Sequence, residues 1–260
     1  MISYIFLVCS IQFSISKLLS NQLTVNMLTL DKSPETIAGM FDKVAVRYDL
    51  LNDVMTGFSH RLTRKIAVKL SRFSSGQKAL DVATGTGDFA FLLAKRAPGG
   101  EVIGVDISQK MLAGARYRQS KNGLKNVRFE YGNALDLNFE DETFDVATIG
   151  YGIRNVPDPV RAMEEIRRVM RPHGRFLIVE ATPPVSRYMR FLANFHFAKL
   201  VPLIAKFLTP DSDAYHYFAK SVEEFPTAPE FAKLIKKAGW AEVYYRPMYF
   251  GTVTVFLAIR

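Results

Sequence analysis

The stretch LDVATGTGDFA, residues 80–90, decides the fold. An apolar strand ends in Asp81, a turn carries Gly85 and Gly87, and a helix begins at about Asp88. Glycine allows tight turns and a close approach of the backbone to a ligand, and parallel α/β sheets bind ligands at the carboxyl ends of their strands. We therefore expect a ligand crevice at this turn, with Asp81, Gly85 and Gly87 among its residues.

Outward from this turn, strand-like and helix-like segments alternate from about Lys78 onward, which predicts a mostly parallel sheet with crossover helices. The predicted parallel strands cover residues 78–83, 101–106, 127–131, 144–151 and 174–181. Two final strands, 242–246 and 252–259, should form an antiparallel hairpin because a short turn with Gly251 separates them. The expected fold class is α/β, a Rossmann-like seven-stranded sheet flanked by helices.

Two of the helices carry explicit end signals. Asp158 stands directly before a proline and suits an N-cap, and Pro172 with Gly174 should stop the helix that follows. Thr227 and Glu230 have the spacing of a capping box.

An acidic residue also ends the second strand. In EVIGVDIS, Asp106 follows Gly85 by 21 residues, where its carboxylate can accept hydrogen bonds from both hydroxyls of an adenosine ribose. Ile107 is the next residue of the same site, and Asn133 with Ala134 lies in a loop that can meet an adenine edge. These elements predict a nucleoside-containing cofactor; the alternative is two structural turns with an exposed acid.

The residues around the glycines favour one cofactor over another. A dinucleotide site has the pattern G-x-G-x-x-G, whereas Phe89 and Ala90 follow Gly87 here. Asp81 and Asp88 would repel a diphosphate, but a sulfonium with an amino acid tail tolerates acids. We therefore expect S-adenosylmethionine and not NAD.

The amino-acid composition indicates the size of the core, the kinds of partner and the cellular location that we expect. The chain has 260 residues, 48% of them hydrophobic, so it can bury one large core with a lid. Its net charge of +9 suits an anionic membrane or a nucleic acid, although the charge is dispersed, as on an ordinary solvated surface. With Cys9 as the only cysteine and no ligand-like spacing of His, Asp or Glu, we expect no disulfide, no metal site and a reducing, cytoplasmic location.

The chain divides into three predicted parts. Residues 1–26 form an extension that is either a weak membrane-surface anchor or the product of an upstream start before Met27. Residues 27–75 form a helical cap, and residues 76–260 form the main domain. Within it, the insertion 183–226 is too long for an ordinary loop and mixes aromatic with basic residues, so we expect a lid that packs on the core, lines an apolar pocket or rests on an anionic membrane.

Residues 78–181 resemble a class I S-adenosylmethionine-dependent methyltransferase. More narrowly, YDLLNDVM, LDVATGTGD, VDISQKML and GYGIRNVPDP are similar, in order and spacing, to the family that methylates a ring carbon in menaquinone and ubiquinone biosynthesis. The resemblance covers about Phe41 to Arg260 and implies that Thr86, Asp106, Asn133 and Ala134 contact the cofactor. Two stretches depart from the family, since Gly150 replaces a serine and the tail FGTVTVF differs.

This resemblance implies a polyprenyl quinol acceptor and places catalytic groups beyond the fourth strand. Arg154 and Asn155 lie there; arginine could stabilise a developing phenolate, and asparagine could orient the ring. The alternative for Arg154 is an ion pair with an acid such as Asp158. His60 and Tyr48, in the predicted cap, are further catalytic candidates, because the cap of such folds closes over the cofactor and histidine titrates near neutral pH.

Other functions stay open as alternatives. A different lipid-like or small phenolic acceptor would use the same site, and the altered tail favours keeping that reading. A nucleic-acid methyltransferase lacks its catalytic signature here, and a silent cofactor-binding subunit would not need Arg154 with Asp106. We expect no nucleic-acid partner and a peripheral membrane contact at the inner face of the membrane, with a homodimer left open.

Overall fold

The computed structural model describes residues 30–44, 53, 59–186, 188–191 and 213–260, with the backbone alone at 44, 213–216 and 219. Contacts join Lys32–Arg260 into one unit. Within the described ranges, no helix is long and apolar enough to cross a lipid bilayer.

The central sheet has the strand order β3-β2-β1-β4-β5-β7-β6 over the described residues. Its strands are β1 (Lys78–Val82), β2 (Glu101–Asp106), β3 (Val127–Tyr131), β4 (Phe144–Gly150), β5 (Met170–Ala181), β6 (Glu242–Met248) and β7 (Val253–Ile259). Neighbours from β3 to β5 pair in parallel, and β7 runs antiparallel to both β5 and β6. The predicted parallel sheet and C-terminal hairpin are therefore confirmed.

The start of β5 differs most from its prediction, whereas the other strand ends differ by at most two residues. The helix after Asp158 ends at Val169, before Pro172 and Gly174, and β5 begins directly at Met170. Met170 has extended backbone angles and pairs with Phe144 of β4. The residue before a proline is disfavoured in the helical region, and the sheet ladder then draws the chain into a strand earlier than the proline alone predicts.

The helices flank this sheet. They are α1 (Pro34–Val44), α2 (Ser59–Ser71), α3 (Asp88–Arg96), α4 (Gln109–Asn122), α5 (Pro159–Val169), α6 (Asp213–Glu223) and α7 (Ala228–Lys237), with 3-10 turns at Ile153–Asn155 and Tyr249–Gly251. The predicted caps are confirmed: the Asp158 carboxylate accepts from the Arg161 N–H (3.0 Å), and the Glu230 carboxylate accepts from the Thr227 N–H (2.9 Å).

Apolar side chains cover both faces of the sheet. Along β5, Phe176 and Ile178 belong to one buried cluster, whereas Leu177 and Val179 belong to another. Because successive side chains of a strand point to opposite faces, this alternation identifies a sheet buried on both sides. The carboxyl ends of β1, β2 and β4 consequently meet at one edge, where the loops that follow them are brought together.

Helix α1 is anchored beside that edge. The Ser108 hydroxyl, which caps α4 by accepting from the Met111 N–H, also donates to the Asp42 carboxylate of α1 at 2.6 Å. This contact holds α1 across the loops that follow β2.

Candidate functional site

A cavity opens at the carboxyl edge of the sheet. Its volume is about 720 Å³ when the space open to solvent at its mouth is included. Its described lining comprises Lys32, Pro34, Ile37, Phe41, Ala83, Gly85, Asp106, Ile107, Met111, Gly132, Asn133, Ala134, Gly150, Tyr151, Gly152, Asn155, Val156 and Pro157. The structure thus brings together six of the predicted site residues, namely Gly85, Asp106, Ile107, Asn133, Ala134 and Asn155.

The two glycines of the opening stretch have different surroundings. Gly85 lines the cavity in a left-handed conformation (φ 57°), and its N–H donates to the Asp106 carboxylate at 2.8 Å. Gly87 (φ 91°) is not among the described lining residues; a Cβ there would lie 2.8 Å from the rings of Phe129 and Phe91. Gly85 therefore exposes backbone to a ligand, while Gly87 lets α3 begin against packed aromatic rings.

Asp106 combines burial with hydrogen bonds from the backbone. It accepts from the Ser108 N–H at 2.9 Å as well as from Gly85, and only 9% of the residue is exposed. Burial raises the pKa of this carboxyl, although the N–H donors oppose the effect. A buried carboxylate that faces a cavity and is fixed by two backbone donors is a preorganised acceptor for hydroxyl groups.

Asp81 does not belong to the described cavity wall. It is 1% exposed and accepts from the hydroxyls of Thr84 (2.6 Å) and Thr148 (2.7 Å) and from the Ala90 N–H (3.2 Å). Burial raises its pKa to about 6. Its carboxylate holds β1, the glycine turn and α3 together. Because Asp81 is not among the described lining residues of the cavity, its contact with the cofactor remains a prediction.

Thr86 and Asp88 are not among the described lining residues of the cavity and belong to a partly buried ionic network. The Arg118 guanidinium donates to the Thr86 carbonyl (2.9 Å) and hydroxyl (2.8 Å) and pairs with Asp88 at 2.9 Å. Arg64 lies 3.5 Å from the other Asp88 oxygen. The sequence predicted that Asp81 and Asp88 would repel a diphosphate in the cavity. The structure does not support this argument, because both carboxylates are held by contacts within the protein and neither is among the described lining residues.

Arg154 is buried beneath the cavity in an ion pair. Its guanidinium lies 2.6 Å from Glu180, which is fully buried, and donates to the Tyr151 carbonyl at 2.7 Å. It also contacts Ser221 (3.4 Å) and the Phe218 ring (5.0 Å) of α6. The alternative suggested by the sequence, an ion pair of Arg154 with an acid, is therefore present, but the acid is Glu180 and not Asp158, whose carboxylate caps α5.

Asn155 reaches the cavity directly. Its Oδ1 accepts from the Tyr217 hydroxyl at 3.2 Å, so α6 fixes the orientation of the amide. Arg154 and Asn155 are adjacent in sequence, yet they point to different environments because the 3-10 turn rotates consecutive side chains away from each other.

His60 is also displaced from the described cavity wall. Its Nε2 lies 2.8 Å from Asp53, and its Nδ1 lies 2.7 Å from the Arg64 guanidinium, which can only donate. This geometry assigns the proton to Nε2 and leaves a neutral ring; burial lowers the pKa of His60 in agreement. Tyr48, the remaining catalytic candidate, lies outside the described residues.

Several residues of the cavity wall were not predicted from the sequence. Lys32, Ile37 and Phe41 come from the chain before and within α1, for which no motif gave a reason. Tyr151 adopts a left-handed conformation (φ 59°), and its hydroxyl lies 3.2 Å from Thr63 in α2. Burial raises the pKa of this phenol. Its position beside Asn155 in GYGIRN was the available signal, since residues after a parallel strand face the ligand edge.

Gly150 has a packing explanation. A Cβ at this position would lie 2.5 Å from the Phe89 ring. The hydroxyl that the resembling family has here is therefore replaced by the edge of an aromatic ring.

This strand order, with a glycine turn after β1 and an acid at the end of β2, defines the class I methyltransferase fold. Solved structures share it: a SAM-dependent methyltransferase of Thermotoga maritima superposes with a TM-score of 0.61 at 21% identity, covering 85% of this chain and 98% of that one. Another, from Aquifex aeolicus, gives 0.54 at 19% identity, covering 75% and 88%.

Sequence comparison narrows the class to a family. A profile of the ubiE/COQ5 methyltransferase family matches residues 29–260, so the chain belongs to that family and is a methyltransferase. A protein of Thermus thermophilus named demethylmenaquinone methyltransferase is 38% identical over 221 residues, covering 85% of this chain and 100% of the relative. One of the same name from Geobacillus kaustophilus is 35% identical over 227 residues, covering 87% and 97%.

Proposed function

We propose that this protein transfers a methyl group from S-adenosylmethionine to a ring carbon of a demethylated polyprenyl quinol, with demethylmenaquinol as the acceptor. One observation carries the proposal: Asp106, Asn133 and Ala134, expected on the cofactor side, share a cavity with Asn155, expected on the acceptor side. The names of the relatives in the family support the choice of acceptor.

The residues present fit the cofactor. Gly85 and Gly132 expose their backbone at the cavity wall, and a Cβ at Gly132 would crowd the Val105 side chain at 3.0 Å. Asp106 supplies an acceptor for ribose hydroxyls, and Ile107 with Ala134 supplies apolar surface for a purine ring. When bound, S-adenosylmethionine supplies an electrophilic methyl group on a sulfonium.

The acceptor side is formed by the residues that follow β4. Tyr151 and Val156 provide aromatic and apolar surface for a fused ring. The Asn155 Oδ1 accepts a hydrogen bond from the Tyr217 hydroxyl. The amide N–H groups of Asn155 are therefore left to donate to a hydroxyl oxygen of the quinol. The chain thereby orients the ring and excludes water, which are the main tasks of a protein when the donor carries its own leaving group.

We assign Arg154 and His60 to positioning. The Arg154 guanidinium holds the Tyr151 carbonyl and Glu180, and so fixes the turn that presents Asn155. His60 joins Asp53 to Arg64, whose guanidinium stacks over the Tyr151 ring at 5.1 Å. Both residues act on the acceptor through Tyr151 and Asn155.

We also propose that the protein contacts a membrane surface. Phe250 is 83% exposed at the tip of the turn before β7, and a Cβ at Gly251 in the same turn would lie 3.6 Å from Pro184. Exposed Val185, Tyr188 and Phe191 continue the apolar surface along the start of the insertion. We call Val185, Tyr188, Phe191 and Phe250 the apolar rim. If the polyprenyl tail stays in the bilayer while its ring is methylated, the apolar rim would hold the protein at the membrane surface.

Isotope transfer tests the proposed reaction. The full-length protein is incubated with methyl-labelled S-adenosylmethionine and, in parallel, with demethylmenaquinol, a polyprenyl methoxybenzoquinol or simple naphthols. We expect label on the ring carbon of demethylmenaquinol. Label confined to the benzoquinol would move the acceptor to the ubiquinone pathway, label confined to small naphthols would favour a small phenolic acceptor, and label in none of them would overturn the quinol proposal.

A further inference from the structure

Lys32 has a distinct place in the cavity wall. Among the described lining residues, Lys32 and Asp106 carry the charges, one of each sign. Asp106 ends β2, whereas the charges that act on Lys32 electrostatically belong to other elements: Glu180 to β5, Arg154 to the turn after β4, and Glu224 to the residue after α6. The sheet order puts three strand spacings between β2 and β5, on the order of 14 Å. The cavity therefore has an anionic end and a cationic end.

The cationic end coincides with the acceptor side. Asn155 follows β4, next to β5, and lines the same cavity as Lys32. Ring methylation at carbon needs an electron-rich ring, which a quinol becomes when a hydroxyl loses its proton. The resulting aryloxide is an anion in a largely apolar cavity, so a cation at that end would stabilise it strongly.

The neighbouring candidates for this task are already engaged. The Arg154 guanidinium is held by Glu180 and the Tyr151 carbonyl, and the His60 ring is held between Asp53 and Arg64. Glu180 in turn accepts from Arg154 and from the Ala181 N–H at 2.8 Å. Each of these groups is buried in contacts within the protein and reaches the cavity only through another residue.

We propose that Lys32 is a catalytic residue whose ammonium donates a hydrogen bond to the acceptor's hydroxyl oxygen and stabilises the aryloxide. This rests on the proposed function. The hydroxyl proton leaves to water at the cavity mouth, the ring carbon forms its bond to the methyl group as the carbon–sulfur bond breaks, and the displaced ring C–H proton then leaves to water. The aryloxide that remains takes one proton back from water, so the hydroxyl is restored and one proton is released overall. The ammonium keeps its protons throughout.

The environment of Lys32 supports this role. Burial lowers its pKa, Arg154 acts in the same direction, and the carboxylates of Glu224 and Glu180 oppose both. A half-buried ammonium with a lowered pKa gains stability when an anion binds beside it. An aryloxide is such an anion, whereas the neutral quinol is not.

The test uses full-length variants and the acceptor analogue 4-methoxy-1-naphthol, which has one ionisable hydroxyl. Lys32→Met should lower kcat about 100-fold, as loss of one oxyanion donor does, while Lys32→Arg keeps the charge and most of the rate. The affinity for S-adenosylhomocysteine should change less than twofold. Lys43→Met is the matched control, because this exposed lysine of the same segment is not among the described lining residues.

A second readout is independent of turnover. With S-adenosylhomocysteine bound, the absorbance of the naphthol reports its apparent pKa in the cavity, which should be lower by at least one unit in the wild type than in Lys32→Met. An unchanged kcat and an unchanged naphthol pKa in a folded Lys32→Met or Lys32→Gln variant would overturn the role of Lys32. A wild type that shifts the naphthol pKa but methylates neither the analogue nor demethylmenaquinol would instead overturn the proposed reaction.

Discussion

Asp81 and Asp106 stand near the carboxyl ends of two neighbouring parallel strands, yet their surroundings give them different tasks. Asp106 faces the cavity and is held by backbone donors, whereas Asp81 points into the packing between β1, α3 and Thr148. Asp81 is 25 residues earlier in the sequence and one strand away in the sheet. The direction of the side chain, and not the residue type, decides which carboxylate meets a ligand.

Replacement of Asp106 tests the ribose contact. Asp106→Asn keeps the size and one acceptor oxygen but loses the charge, and we expect the Kd for S-adenosylhomocysteine to rise about 30-fold, because a charged hydrogen bond contributes about 1.5–3 kcal/mol. Calorimetric titration measures it. Asp141→Asn, an exposed acid far from the described cavity lining, is the control, and an unchanged Kd in a folded Asp106→Asn protein would rule out the ribose role.

Asp81 makes a prediction about pH. Its pKa of about 6 in the folded state lies above the unfolded value of 3.8, so the folded protein retains a proton that the unfolded chain has lost between these values. The contribution of Asp81 to the free energy of unfolding therefore falls by about 3 kcal/mol as pH rises from about 4 to 6. Urea unfolding across this range should show a steeper loss of stability in the wild type than in Asp81→Asn; parallel curves would contradict the assignment.

At the scale of elements, one guanidinium joins three of them. Arg154 lies in the 3-10 turn after β4, pairs with Glu180 of β5 and contacts Ser221 and Phe218 of α6. The Tyr217 hydroxyl of α6 then reaches Asn155. The docking of α6, the end of the predicted insertion, is thereby coupled to the orientation of an acceptor-side amide.

This coupling predicts a strongly non-additive pair of substitutions. Arg154→Met leaves the Glu180 carboxylate buried without its partner and should lower the free energy of unfolding by about 3–5 kcal/mol. The double variant Arg154→Met/Glu180→Leu removes both charges, so it should be more stable than either single variant. Urea unfolding of the four proteins measures the cycle, and costs that simply add would show that the ion pair does not organise this region.

At the scale of the whole molecule, exposed apolar residues gather beside one end of the sheet. The apolar rim combines the turn before β7 with the first residues of the insertion, two segments distant in sequence. The net charge of +9 would add attraction to an anionic surface. Both properties support the proposed contact with a bilayer, in which the polyprenyl tail would remain among the lipids.

Vesicle binding tests the apolar rim. Phe250→Ser should weaken cosedimentation with phosphatidylglycerol vesicles about tenfold, since a phenyl group that enters an apolar phase contributes about 1.5–3 kcal/mol. Tyr117→Ser is the matched control, because Tyr117 is 65% exposed on α4 and is not part of the rim. Equal binding by both variants and the wild type would show that the rim does not touch lipid.

Much of the architecture follows from local patterns. The strands near residues 78, 101 and 127 begin where predicted, and the caps at Asp158 and Thr227 form, because periodicity and capping act within a few residues of the chain. Of the site, the sequence identifies the segments that follow the strands, since parallel strands end at a common edge. It does not identify Lys32, which no motif marks and which only folding brings to the cavity.

The sequence by itself determined the sheet, the glycine turn and the family, because each depends on residues close together in the chain. Only the tertiary structure decided which member of each neighbouring pair serves the cavity: Gly85 and not Gly87, Asn155 and not Arg154. Adjacent residues point in different directions, and partners such as Phe129 and Glu180 come from other strands. The physical reason is that a side chain's task depends on what packs against it, and that is set by contacts between distant parts of the chain.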